Sequence, residues 1–287
     1  MTDITDRNRP SWLQNGLLPL VRIVVLGGGL IYLMAWTEGR IFLVKDSPLL
    51  GAAIALGLGL VAMAIYIGYA RLVERREATE LSLPGAGREF AIGALIGAAL
   101  YTACAVILMI LGIFKVEGLN PLSFLIPAVA MAVKSAIFEE LVFRGVLLQS
   151  VESMLGTWAA VIVSSAAFGL VHLMNPDATI GGAIYITIEA GLLLGGAYLL
   201  TRRLWLAIGF HMAWNYVQSA IFSGIVSGAV NEPGLIRNTL SGPDLLTGGS
   251  FGMERSVIAL ILCTTAGVIL LLIARRKGHI LPPPWKR

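Results

Sequence analysis

Two adjacent carboxylates, Glu139 and Glu140, stand with Arg144 inside a long apolar run from Pro121 to Leu148. Two of the three histidines, His172 and His211, lie in later apolar runs, and Asn215 follows His211 by one helical turn. A charge at mid-bilayer costs at least ~2.5–3.5 kcal/mol on insertion scales, so groups of this kind mark functional sites facing the protein interior. A carboxylate can deprotonate water, and an imidazole beside it can position that water or share its proton. A second imidazole and a carboxamide can donate hydrogen bonds to a developing oxyanion, an effect often worth ~3–4 kcal/mol. Together these residue types suit hydrolysis of an amide.

Residues four apart on a helix share a face. That spacing pairs Glu140 with Arg144, Phe168 with His172, and His211 with Asn215. With Arg144 neutralising Glu140, Glu139 points ~100° away around the helix and has no partner in its own turn. An unpaired carboxylate away from water suits a general base. On this reading Glu139 is the base, and the Glu140–Arg144 pair is its scaffold or a substrate contact. The opposite assignment stays open. The same groups could instead bind zinc, with His172, His211 and one glutamate as ligands and water in the fourth position. A metal-free route is equally open. There is no H-E-x-x-H, the common helix-borne zinc protease pattern, and no G-x-S-G of a serine protease. Asp3, Asp6, Asp46, Asp177 and Asp244 all fall outside the apolar runs, which excludes an intramembrane aspartyl dyad.

The elements that must carry these groups are membrane helices. The 287 residues are 57% hydrophobic and only 13% charged, with a mean hydropathy of +0.82, whereas a soluble domain carries about 25% charged residues. A spanning helix needs ~20 mostly apolar residues. Eight candidates run over 17–36, 49–70, 90–114, 121–148, 157–173, 181–200, 204–223 and 256–274. The expected fold is all-α: one polytopic membrane domain over 1–287, with about eight transmembrane helices enclosing an intramembrane cavity. The catalytic core covers about 121–223. The polar start through Asn15 leads into a span that stays as an anchor.

The net charge of +4 is no nucleic-acid signature, because the basic residues flank apolar spans instead of forming a stripe. Eight spans place Arg7, Arg9, Arg71, Arg75, Arg76, Arg88, Arg202, Arg203, Arg275, Arg276, Lys277, Lys286 and Arg287 on one side. Arg40, Lys45, Lys115, Arg237 and Arg255 fall on the other. The positive-inside rule then predicts a multi-pass cell-membrane protein with both termini cytoplasmic. It also makes 224–254, rich in Gly, Pro, Asn and Ser, an external loop, either partly disordered or a lid.

Depth is a further constraint. Glu139 and His172 each lie ~25 Å along their helices from a turn near Gly156, but His211 lies only ~12 Å past Arg203. The three meet if the hairpin around Gly156 projects ~12 Å into the cytoplasm, with the site inside the membrane nearer the cytoplasmic side. Arg22 is expected to snorkel to the interface. Lys134 and Glu189 are expected to neutralise neighbours, reach an interface or serve the site. His279 in the basic tail is expected to be solvated. Cys104 and Cys263, both in apolar runs, read as small buried hydrophobes with no disulfide. Gly191-x-x-x-Gly195 reads as a helix-packing face.

Glu139-Glu140-x-x-x-Arg144, Phe168-x-x-x-His172 and His211-x-x-x-Asn215, in this order on three apolar helices, resemble the motifs of the CPBP intramembrane endopeptidases. This group, also called the Abi family, includes the type II CAAX prenyl endopeptidases and bacteriocin-processing relatives. The stretch from Gly191 through Thr201-Arg-Arg-Leu-Trp205 to Asn215 is also similar, with Arg202-Arg203 where many members have small residues. The resemblance covers roughly 135–216. It implies a glutamate-dependent endopeptidase, often labelled a metalloprotease, within a conical membrane cavity open to the cytosol. Glu139 and His172 would activate water, His211 and Asn215 would stabilise the oxyanion, and Glu140 and Arg144 would hold the site or grip substrate. The implied partners are a peptide or protein substrate, membrane-associated or not, and the lipid bilayer. Two other classes use the same residues: a proton-coupled transporter, since Glu and His chains also form proton relays, and a non-catalytic membrane scaffold that binds a peptide.

Overall fold

The computed structural model describes residues 16–230 and 232–286. Arg7, Arg9, Asp3, Asp6 and Arg287 lie outside the described residues, as does the polar start. In a bilayer every backbone polar group must be satisfied within the chain, which makes long apolar runs helical. Among the described residues seven helices are long and apolar enough to cross: α1 Leu18–Leu43, α2 Pro48–Glu74, α3 Ala86–Ile110, α4 Leu122–Leu155, α5 Thr157–Met174, α6 Ile180–Thr201 and, last of them, α8 Val257–Arg276. The eighth expected span is α7, Trp205–Tyr216 with a π-helical continuation Val217–Ile221. It falls short of a full-length span. It still passes from one end of α3 to the other, since Arg203 bonds Glu89 before it and Phe222 packs on Phe114 after it.

The close fit of α3 and α7 explains how a short helix is held. A Cβ built on Gly93 would fall 2.1 Å from the Leu206 carbonyl, one on Gly97 2.4 Å from the Phe210 carbonyl, and one on Gly209 2.1 Å from the Phe90 carbonyl. Only small residues permit backbones this near, the usual device for membrane helices that gain nothing from hydrophobic exclusion. The expected Gly191-x-x-x-Gly195 face is half used. Gly191 abuts Ser165 of α5, whereas Gly195 faces open space up to Leu148 at 3.9 Å.

The arginine-rich end of the bundle is a web of ion pairs. Arg22 pairs with Glu74, Arg76 with Glu74 and Glu80, Arg202 with Glu152, and Arg203 with Glu89. Two expectations change here. Arg22 is held by Glu74 and Gln149 instead of reaching out along the interface. His279 is half-buried, with its Nδ1 donating to the Leu199 carbonyl at 2.8 Å, so it docks the tail on α6 instead of standing in solvent.

The opposite end carries the only sheet among the described residues. β1 Phe114–Leu119, just after α3, pairs antiparallel with β2 Ile236–Leu240. Within the 224–254 loop β2 anchors the middle, and Ser227 and Glu254 are buried near its two ends. Lys134 pairs with Glu38, and Cys104 and Cys263 are free and buried, as expected.

Candidate active site

α4 carries three of the six candidate residues and changes form where they begin. It is α-helical over Pro127–Glu140 and π-helical over Leu141–Leu148. Runs of this kind are frequent at functional sites. Glu140 and Arg144 nonetheless meet as the spacing predicts, with Arg144 Nη1 donating to Glu140 Oε1 at 3.0 Å. Both are fully buried. Arg144 Nη2 donates to the Ala190 carbonyl of α6 at 3.1 Å, and its guanidinium lies over the Phe168 ring at 4.6 Å. These contacts compensate the buried pair only in part, because Glu140 Oε2 and Arg144 Nε are buried without a hydrogen-bond partner.

His211 of α7 meets both glutamates. Its Nδ1 lies 2.9 Å from Glu140 Oε1, and its Nε2 lies 3.8 Å from Glu139 Oε2. A carboxylate only accepts, so Nδ1 is the protonated nitrogen facing Glu140. His172, at the end of α5, donates from Nδ1 to the Phe168 carbonyl at 2.6 Å and rests against the Phe168 ring. A carbonyl also only accepts, so His172 Nδ1 carries a proton and Nε2 is the nitrogen left without a protein partner. Asn215 Nδ2 donates to Ser135 Oγ at 2.9 Å, which leaves its second N–H free.

A cavity of about 330 Å³ joins these groups, and Glu139, His172, His211, Asn215 and Ser135 line it. Glu140 and Arg144 stand behind its wall. The carboxylate that reaches open space is thus Glu139, and the one tied to arginine is Glu140.

Sequence reasoning misses Ser135, although it precedes Glu139 by one helical turn and so shares its face. It also misses Trp214 and Glu254, which line the same cavity from α7 and from the loop. Loop residues carry no periodic signal, so nothing in the sequence ties Glu254 to the site. The depth argument needs adjustment as well. Glu152 pairs with Arg202, so the hairpin passes the arginine level by only four residues, ~6 Å and half the expected projection. The wider π turns of Leu141–Leu148 help bring Glu140 level with His211. The cavity runs from the site toward the strand-bearing end, where Asn175, Val226, Ser227 and Ala229 line it, and sideways to Ile31 and Met174, both exposed on the bundle surface. It does not open to the arginine-rich end, as the resemblance and the expected orientation together would require.

Among the described residues no three His, Cys, Asp or Glu side chains group so as to hold a metal ion. His211 Nδ1 is committed to Glu140 and His172 Nδ1 to a carbonyl. These Nδ1 bonds are of the kind that metal-bound histidines also make, and they leave Nε2 of each imidazole uncommitted.

The profile of one protein family matches the segment that holds all six candidates, residues 121–217, under the description type II CAAX prenyl endopeptidase Rce1-like. Residues 121–217 form an Rce1-like domain. The match agrees with the resemblance seen over roughly 135–216 and starts at the head of α4. It leaves out α1 to α3, the 224–254 loop and α8. Comparisons with curated proteins and with solved structures return no match. The seven membrane-length helices among the described residues make this a membrane protein.

Proposed function

We propose that the protein is an intramembrane endopeptidase in which Glu139 and His172 activate water and His211 and Asn215 hold the oxyanion. The observation that carries this reading is the division of labour between adjacent glutamates. Glu139 faces the cavity with no arginine beside it, while Glu140 is locked between Arg144 and His211.

In the proposed reaction a water between Glu139 and His172 Nε2 loses its proton to Glu139 and attacks the peptide carbonyl carbon. The carbonyl π pair moves to oxygen. His211, protonated on both nitrogens, donates from Nδ1 to Glu140 and from Nε2 to the oxyanion. The free Asn215 N–H donates to the same oxygen. Collapse of the intermediate re-forms the carbonyl and breaks the C–N bond, and the proton held by Glu139 passes to the leaving amine. Such donors act most strongly in a dry site, where effective dielectric is low. Glu140 and Arg144 never touch substrate on this scheme; they fix His211.

With the basic end in the cytoplasm, as the positive-inside rule favours, substrate reaches this cavity from the bilayer or the non-cytoplasmic side. The exposed Ile31 and Met174 at the rim fit entry from lipid. The test is cleavage of membrane-presented peptides by purified protein, comparing wild type with Glu139→Ala, His172→Ala and His211→Ala, with and without a chelator. Loss in all three variants and indifference to chelator support the scheme. Activity that survives Glu139→Ala overturns it, and activity that dies with chelator and returns with zinc replaces the metal-free route.

A further inference from the structure

Two more carboxylates reach the cavity and have no part in the hydrolytic scheme. Glu189 of α6 is only 3% exposed, yet among the described residues neither of its oxygens has a hydrogen bond or ion pair, and Oε2 is wholly buried without a partner. Glu254, at the end of the 224–254 loop, is held firmly. It accepts from Trp214 Nε1 at 3.2 Å, from the Ser227 backbone N–H at 2.5 Å and from Ser227 Oγ at 2.8 Å. The charges of the two glutamates bear on each other.

Among the described residues no lysine or arginine on the wall offsets them, and the His211 imidazole turns to Glu139 and Glu140 instead. Among the described residues, the lysines and arginines lining the cavity come to Lys134 alone, and its ammonium is turned to Glu38. Glu139 adds a third carboxylate to the same space. An isolated carboxylate taken out of water is costly unless a cation compensates it. A cation that enters the cavity can supply that compensation.

We propose that Glu189, backed by Glu254, seats a lysine or arginine side chain of the peptide substrate and thereby selects which bond is presented to Glu139. The assignment rests on the endopeptidase reading for its catalytic half but not for its binding half. A cation between the two glutamates supplies the donors that Glu189 lacks, and a neutral side chain leaves the carboxylate stranded. Discrimination of this type, built on an unpaired polar group, exceeds what apolar shape alone achieves.

The experiment uses internally quenched peptides, acetylated at the N-terminus and amidated at the C-terminus so that the side chain is the only variable cation. Lys, Arg, Gln or norleucine is placed in turn at each position around the cleaved bond. Purified full-length wild type and Glu189→Gln are compared in detergent. Glu189 bonds to nothing, so Glu189→Gln is expected to fold, and its melting temperature verifies this. Wild type should cleave the Lys and Arg peptides at least about tenfold more efficiently in kcat/KM at one position, and in Glu189→Gln that ratio should collapse toward one.

A parallel arm measures fluorescence anisotropy of the Lys and norleucine peptides on the Glu139→Gln background, where turnover is removed. Tighter Lys-peptide binding that depends on Glu189 is expected. No basic preference in wild type, or a preference that survives Glu189→Gln, overturns the inference. If no peptide is cleaved but charge-selective binding remains, the cation seat stands and the peptidase reading falls.

Discussion

His211 Nδ1 lies 2.9 Å from Glu140 Oε1, and the same oxygen accepts Arg144 Nη1 at 3.0 Å. One carboxylate oxygen thus ties α4 to α7. The link runs through the polar core of an otherwise apolar bundle. It also orients His211 so that its other nitrogen points toward Glu139, 3.8 Å away.

Removing one member of this trio should therefore harm stability and activity together. Arg144→Ala leaves Glu140 buried without its cation, a change that typically costs ~3–5 kcal/mol. Glu140→Ala strands Arg144 and frees His211. Both variants should melt well below wild type in detergent. A Glu140→Gln protein that keeps full stability and full turnover would show that the trio is decorative.

Glu139 should behave in the opposite way. It makes no close bond within the protein, so Glu139→Gln should keep the melting temperature of wild type. Loss of a general base removes ~10²–10⁴-fold in rate. The measurement is single-turnover cleavage beside thermal unfolding of the same sample. Normal turnover by the Gln variant would move the base elsewhere.

Much of this arrangement is legible in the chain because helices are periodic. Glu140–Arg144, Phe168–His172 and His211–Asn215 each span one turn, and a bilayer makes every charge in an apolar run conspicuous. The charge pattern also sets apart the basic end that holds Arg22, Arg76, Arg202 and Arg203. What stays hidden depends on contacts between distant segments. Nothing local says that Glu74 will capture Arg22, that Phe114–Leu119 will pair with Ile236–Leu240, or that Glu254 will fold back into the cavity. The helix α7 looks like a full span by hydropathy, and its shortness becomes visible only once Gly93 and Gly97 are seen clasping it.

Asn215 and Ser135 test the oxyanion assignment. Removing one oxyanion donor typically costs ~10²–10³ in kcat, so Asn215→Ala should lose that much. Ser135 accepts one Asn215 N–H at 2.9 Å and only aims the amide, so Ser135→Ala should cost less. In the double variant the serine change should add little. Equal, additive losses from the two sites would instead give Ser135 a direct contact with substrate.

The α3–α7 clasp should tolerate no added bulk. A side chain at Gly97 would drive its Cβ to 2.4 Å from the Phe210 carbonyl, one residue before His211. Gly97→Val should therefore cost at least the ~1–3 kcal/mol usual for overpacking. Any protein that does fold should lose turnover, because α7 carries His211 and Asn215. Gly195→Ala on α6, where the nearest atom is 3.9 Å away, is the control and should be close to neutral. Melting temperature and cleavage rate of the two variants decide the matter.

Glu80, in the loop after α2, sets an acid limit on the arginine-rich end. It is 3% exposed, and Arg76 donates to both its oxygens, at 2.7 and 3.0 Å, while Tyr66 Oη lies 2.5 Å away. Burial pushes its carboxyl up, but the Arg76 bonds and charge with the Tyr66 hydroxyl outweigh that, so it stays below the ordinary glutamate range. A carboxyl held down in the folded state binds its proton more readily when unfolded. Its stabilisation is complete above the unfolded value of about 4.3 and fades as pH falls through the folded value. Glu80→Gln should therefore melt lower than wild type at pH 7, and the gap should narrow steadily below about pH 4. Tyr66 also lies 2.9 Å from the Gly145 carbonyl in the π-helical stretch of α4, so acid loosening should reach the element that holds Arg144. A gap that stays constant from pH 7 to pH 3 would mean that Glu80 carries no linked proton and that the end is held by packing alone.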